Sequence, residues 1–170
     1  MSVEQITKYR TNLKQWRDEI ECYTRLAYSN RVPTLVDYNE KDLSITLSNE
    51  GLSLFILTEI KKEKIKINLL EQLYEFISAC EQQSIVHLDF HPGNILLKNK
   101  NLTVVDFELV SIDDKVSTNK CVKRYQKWKQ RGGWKHVINT YIKYFKNFDN
   151  KLWYRDDIMQ QELKKYGKAF

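Results

Sequence analysis

Leu13, Trp16, Ile20, Tyr23, Leu26 and Ala27 recur at three- and four-residue intervals, the spacing that gathers side chains on one face of a helix, and they predict a helix over about 10–29. Asn30 is placed to end it. The period then changes. TLVDY (34–38) follows Pro33, and Leu43, Ile45 and Leu47 alternate strictly, so both stretches read as strands of a small sheet that Gly51 interrupts. VEQITKY (3–9) is a further candidate strand. Leu69, Leu70, Leu73, Ile77 and Cys80 predict a second amphipathic helix over about 65–81. Two short apolar runs, Ile95–Leu97 and Leu102–Val105, flank the polar turn Lys98–Asn101 and read as a β-hairpin. Beyond Asp114 the pattern is helical again, over about 119–130, 134–147 after Gly132-Gly133, and 153–166. Trp134, Ile138, Tyr141 and Phe145 share one face of the middle helix and read as core, as does Trp153.

Composition narrows the class without naming a function. A chain of 170 residues, 42% hydrophobic and 29% charged, fits one globular domain with a core of its own. No apolar run approaches the roughly 18 residues of a membrane span, and MSVEQITKYR lacks the apolar stretch of a signal peptide, so a cytoplasmic protein is expected. Cys22, Cys80 and Cys121 are far apart and odd in number, which suits buried thiols better than a disulfide framework or a metal clip.

Charge adds one asymmetry. The net charge is +6, yet ten Lys and Arg fall between Lys115 and Phe148 without a single Asp or Glu. Lys120, Lys123, Arg124, Lys127 and Arg131 project within about 100° of one helix. Such a stripe is either a solvated face or a docking surface for an anionic partner, an acidic protein, nucleic acid or a phosphorylated substrate, contacted through Lys120, Lys123, Lys127 and Arg131.

Candidate chemistry concentrates in IVHLDFHPGNILLKNKNLTVVDFEL (85–109). Asn94 and Asp106 bracket the hairpin, which returns the chain near its start and can bring both oxygens onto one cation. Oxygen ligands so few in number suit Mg²⁺, which takes its remaining ligands from water and phosphates. Asp89 then stands nearby as a base. Two other readings compete: Asp and Asn that merely cap turns, and His87, Asp89 and His91 alternating on a strand as Zn²⁺ ligands.

The loop HLDFHPGN (87–94) followed by VDFE (105–108) resembles the catalytic loop and metal-binding motif of the protein-kinase-like superfamily. His91 makes it more similar to the atypical and small-molecule phosphotransferase branch. The resemblance implies ATP and Mg²⁺ as cofactors, Asp89 and Asn94 as catalytic residues, Asn94 and Asp106 as metal ligands, and His87 as a structural pin of the loop. Glu108 departs from the glycine usual after the Asp-Phe pair.

The first helix offers an independent test. Glu19 projects between Tyr23 and Leu26, inside the apolar stripe, while Asp18 and Glu21 point away. A buried carboxylate needs a partner, since leaving it unpaired costs several kcal/mol, on the order of 3–5. The resemblance supplies one: Glu19, Tyr23 and Leu26 look like the helix whose glutamate pairs with the phosphate-binding lysine, making Lys8 and Glu19 nucleotide-binding residues. No glycine precedes Gly51, so the glycine-rich hairpin that normally covers ATP has no counterpart here. The likeness therefore runs from about Ser2 to Val110, with ATP held less tightly or its site completed by something else.

The expected fold is α/β (α+β), a reduced protein-kinase-like two-lobe architecture with a small sheet and helix on a mostly helical lobe. Residues 1–58 would form a truncated small lobe and 59–170 a large lobe. The expected activity is ATP- and Mg²⁺-dependent phosphoryl transfer to a hydroxyl of a protein or small molecule. The alternative is a degenerate kinase-like module that binds an acidic or nucleic-acid partner.

Overall fold

The computed structural model describes residues 4–57, 69–116 and 118–146, with side chains up to Tyr141 in the last segment. Strand β1 (Gln5–Tyr9) leads into helix α1 (Leu13–Leu26) and a 3₁₀ turn (Ala27–Ser29), followed by β2 (Leu35–Asn39), β3 (Ser44–Ser48) and β4 (Leu52–Ser53). Helix α2 (Leu69–Gln82) precedes β5 (Ile85–His87), β6 (Ile95–Lys98), β7 (Asn101–Val104), β8 (Val110–Ile112) and β9 (Lys115–Val116). Helices α3 (Asn119–Gln130) and α4 (Gly133–Lys146) complete the described chain.

Local chemistry explains the boundaries. The Asn12 side chain accepts the Gln15 N–H at 3.0 Å and caps α1, so the helix begins three residues later than periodicity predicts. Asn30 ends the following turn in the left-handed conformation, with φ 55°. In the small sheet β3 lies between β1 and β2, both antiparallel to it. In the β6–β7 hairpin Asn99 and Lys100 both have positive φ, 51° and 69°, as a two-residue turn matching the strand twist requires. At Gly51, φ is +92° and a Cβ would stand 2.4 Å from the Leu97 carbonyl oxygen, so only glycine fits where β4 meets β6.

One core joins these pieces. Trp16, Tyr23 and Leu26 of α1 pack with Leu73, Phe76 and Ile77 of α2, Ile95, Leu102 and Val104 of the hairpin, and Trp134 and Val137 of α4. A second cluster of Val86, Leu88, Leu109, Cys121 and Tyr125 seats α3 beneath the 87–94 loop. All three cysteines are buried, and none forms a disulfide. Burial pushes the Cys22 and Cys80 thiols well up, so both remain protonated.

The architecture is the expected one: small antiparallel sheets with, among the described residues, four α-helices, consistent with a reduced kinase-like fold. Strands β4, β5, β8 and β9 are two or three residues long, too short for alternation to reveal. The predicted helix over 153–166, Trp153, the Phe145 side chain and the first residues of the predicted 65–81 helix lie outside the described residues. Among the described residues no helix is long and apolar enough to cross a membrane.

Candidate active site

His87, at the end of β5, organises the loop from both ring nitrogens. Its Nδ1 accepts the Asp89 N–H at 3.2 Å, and its Nε2 lies 3.0 Å from the Val105 carbonyl oxygen. A neutral imidazole protonated on Nε2 satisfies both contacts. The ring also stands over Phe107, 4.8 Å between centroids, and Phe107 in turn meets Tyr23 of α1 edge-on at 5.3 Å. The Asp-Phe pair is thus anchored in the core by its second member, fully buried.

The Pro-Gly segment turns the chain toward the hairpin. His91 caps the 3₁₀ turn Pro92–Asn94, its Nδ1 accepting the Gly93 N–H at 3.0 Å. A Cβ on residue 93 would sit 2.6 Å from the His91 ring, which explains the glycine. Asn94 donates from Nδ2 to the Asp89 carbonyl oxygen at 2.9 Å, and its own carbonyl accepts the Val105 N–H at 3.0 Å. Its side-chain nitrogen is spent on the loop, so the amide oxygen is the atom that could meet a cation. The Asn94–Val105 bond sets Asn94 and Asp106 on either side of the hairpin base.

Glu19 is completely buried and lies at the centre of a ring of polar contacts. Lys8 Nζ reaches its Oε1 at 3.4 Å, Arg10 Nε donates to its Oε2 at 2.7 Å, and the Tyr23 hydroxyl donates to Oε1 at 3.1 Å. Tyr23 also accepts the Asp106 N–H at 3.2 Å, while Arg10 Nη2 reaches Asp106 Oδ1 at 2.8 Å and Nη1 reaches Glu108 Oε2 at 3.3 Å. Arg10, Glu19, Tyr23 and Asp106 therefore close a circuit between β1, α1 and the loop after β7. Asp106 has a left-handed backbone, φ 69°, which aspartate tolerates better than most residues.

The field of this circuit shows in the titrations. Burial works against the Arg10 cation, but the Glu19 hydrogen bond and charge, with Asp106 added, outweigh it and raise its pKa. Burial likewise opposes the Asp106 anion, and the charges of Lys8 and Arg10 together with the Arg10 hydrogen bond overcome it, holding the carboxyl below its ordinary value. Burial, then the Glu19 charge, push the Tyr23 phenol well up.

Asp89 faces a different cation. Its side chain is 8% exposed, and its Oδ1 accepts from Arg124 Nη1 of α3 at 2.9 Å. The same Nη1 donates to the Leu88 carbonyl oxygen at 3.1 Å. Thr118 caps α3 by accepting the Cys121 N–H, and Cys121 and Tyr125 bury its inner face. Lys120, Lys123 and Lys127 are exposed and Arg131 is half-buried at the end of the helix. Arg124, Lys127, Trp128 and Arg131 line a hollow with His87, Leu88 and Phe90 of the loop.

The residues present fit Mg²⁺ and do not fit Zn²⁺. Asn94 offers an amide oxygen and Asp106 an ionised carboxylate, a hard two-oxygen set of the kind that Mg²⁺ accepts alongside substrate phosphates. By contrast His87 and His91 each use Nδ1 on a backbone N–H, and among the described residues no group of three or more His, Cys, Asp or Glu is placed to hold a metal. The alternation of His87, Asp89 and His91 is broken after His87, where β5 ends and the loop begins.

Two residues of the site escaped the sequence reading. Arg10 stands two positions beyond Lys8, where strand alternation sends both side chains to one face, so a signal for it existed. Arg124 was visible only as one member of the basic stripe, because nothing local ties it to an acid 35 residues earlier.

The comparisons agree with this geometry. Residues 51–116, from the start of β4 through β9, match the model of a phosphotransferase enzyme family. Over 91 residues, 54% of this chain, the sequence is 33% identical to a protein of Acanthamoeba polyphaga mimivirus described as a "putative serine/threonine-protein kinase". Over 120 residues, 65% of the chain, it is 25% identical to a serine/threonine-protein kinase of Schizosaccharomyces pombe. These matches cover 32% and 18% of the two relatives' own lengths. Fold, loop and relatives together make the chain similar to kinase-like phosphotransferases.

Proposed function

We propose that the protein is an ATP- and Mg²⁺-dependent phosphotransferase that transfers the γ-phosphoryl group to a hydroxyl, a protein serine or threonine being favoured by the names of its relatives. The observation that carries the reading is the loop–hairpin unit itself: Asp89, Asn94 and Asp106 are joined by the Asn94–Asp89 and Val105–Asn94 hydrogen bonds. Asp89 orients the acceptor hydroxyl and takes its proton as the oxygen bonds to phosphorus and the bond to the leaving diphosphate breaks. Asn94 and Asp106 hold the metal, whose charge, when bound, neutralises the phosphate oxygens. Lys8, kept in place by Glu19, meets the nucleotide phosphates, and His87 keeps the loop in register. The basic stripe, with Lys120, Lys123, Lys127 and Arg131, meets an anionic partner.

Asp106→Asn should abolish the rise in melting temperature that ATP gives with Mg²⁺, and Asp89→Asn should abolish transfer of labelled phosphate while keeping that rise. Unchanged transfer in either variant would refute the assignment.

A second reading, a degenerate kinase-like module that binds without catalysing, is favoured by the Arg10–Asp106 ion pair, which occupies one oxygen of the metal-binding carboxylate. The absence of a thermal shift at millimolar nucleotide would favour this reading over the first.

A further inference from the structure

The hollow between α3 and the catalytic loop has a composition that the loop chemistry does not require. Arg124, Lys127 and Arg131 contribute three cations from successive turns of one helix, and the Trp128 indole forms part of the wall. Arg124 connects this hollow to Asp89 directly, through the 2.9 Å contact to Oδ1. Lys127 and Arg131 then lie about 4.5 Å and about 10 Å farther along the helix axis, at a rise of 1.5 Å per residue. The row of positive charge therefore starts at the proposed base and leads away from it.

Size limits what this row can recognise. The interior of the hollow has a volume of about 20 Å³, room for roughly one water molecule. A sugar or nucleotide does not fit inside, whereas a single carboxylate or phosphate carried on an extended chain needs only the exposed Lys127 and the half-buried Arg131 that line it. The surrounding sequence reinforces the field, since 115–148 contains no acid. Asp89 is held by Arg124, and Asp114 accepts from the Tyr125 hydroxyl.

We propose that Lys127 and Arg131 form an acceptor-specificity site that selects serine or threonine peptides bearing an anionic side chain a few residues from the phosphorylated hydroxyl. The inference rests on the phosphotransferase reading above and names the class of acceptor. An extended peptide advances about 3.3 Å per residue, so the two cations correspond to positions roughly one to three residues from the acceptor. Glutamate and phosphoserine share the required charge, and phosphoserine, with more charge and more acceptor oxygens, is expected to bind better.

The test uses the full chain and a set of serine peptides that carry alanine, glutamate or phosphoserine at each of the three positions to either side of the acceptor. Phosphate transfer gives kcat and KM. Fluorescence anisotropy of the same peptides with the acceptor serine replaced by alanine gives binding alone, at low and physiological salt. The expected result is a preference of about tenfold in kcat/KM for the anionic peptides, carried by KM, that falls toward unity in Lys127→Gln/Arg131→Gln, two surface charge contacts of up to about fivefold each. Lys135→Gln, which removes a positive charge on α4, should keep the preference. Equal kcat/KM for neutral and anionic peptides, or a preference that survives the double substitution, would overturn the site while leaving phosphotransfer intact. Absence of transfer with charge-selective peptide binding retained would overturn the phosphotransferase reading and keep the surface. Binding of a single-stranded oligonucleotide through Lys127 and Arg131, with the anionic peptides ignored, would assign the row to nucleic acid instead.

Discussion

Asp106 and Asp89 each meet an arginine at nearly the same distance, 2.8 Å from Arg10 and 2.9 Å from Arg124, yet the two pairs do different work. Arg10 belongs to a closed circuit that passes through Glu19 and Tyr23, so the position of Asp106 is fixed by a strand, a helix and a loop at once. Arg124 reaches Asp89 from α3 and shares one nitrogen between the carboxylate and the Leu88 carbonyl oxygen, clasping a loop already shaped by His87 and Asn94. The first pair couples distant elements. The second adds charge to a loop whose shape has other causes, and it extends outward into a row of cations. Asp106 is thus held through the end of β1 and α1 together, whereas Asp89 is held from the side of α3.

The largest expected effect breaks the circuit at its buried centre. Glu19→Ala leaves Lys8, Arg10 and the Tyr23 hydroxyl without their shared acceptor and should cost about 3–5 kcal/mol of unfolding free energy, the usual consequence of removing one member of a buried ion pair. Denaturant unfolding measures it. Glu19→Gln should recover part of the loss, because the amide oxygen can still accept from Tyr23. A loss under about 1 kcal/mol for the alanine variant would mean that the circuit does not carry the coupling described.

How much of this was legible beforehand follows from the range over which each signal acts. Glu19 was readable because helical projection is a local rule, and its burial at 0% exposure matches its place on the stripe between Tyr23 and Leu26. Lys8 was readable only through the resemblance, and its neighbour Arg10 makes the shorter contact to Glu19, 2.7 Å against 3.4 Å. The hairpin was legible from two apolar runs around Lys98–Asn101, and its register brought Ile95 opposite Val104. What stayed hidden depended on tertiary distance: β5 pairs with β8 across 22 intervening residues, Arg124 finds Asp89 across a further fold of the chain, and neither contact leaves a periodic trace in sequence.

A smaller effect is expected on the other side of the comparison. Arg124→Gln removes a charge-assisted hydrogen bond to a buried carboxylate and should cost about 1.5–3 kcal/mol, less than Glu19→Ala because His87 and Asn94 still shape the loop. A double-mutant cycle with Asp89→Asn separates the pair from the Leu88 contact. If Arg124→Gln costs as much in the Asp89→Asn background as in the native chain, the arginine serves the backbone and not the acid.

The smallest effect distinguishes the cations around Asp106. Its carboxyl titrates below the ordinary carboxylate value of about 3.9, so its ionised form favours the folded state. That contribution is complete above the ordinary value and is lost as pH falls through the lowered one, placing the loss below about pH 4. The charges opposing protonation come from Lys8 and Arg10, against burial acting the other way. Lys8→Met should therefore move the Asp106 midpoint upward, which carboxyl-carbon NMR across pH 2–6 resolves, and should make the acid limb of the stability curve begin at higher pH. The ion pair with Arg10 remains in that variant, so the shift isolates the charge of Lys8 acting without a direct hydrogen bond among those described. A midpoint unchanged by Lys8→Met would assign the depression to Arg10 and would leave Lys8 linked to the site only through Glu19.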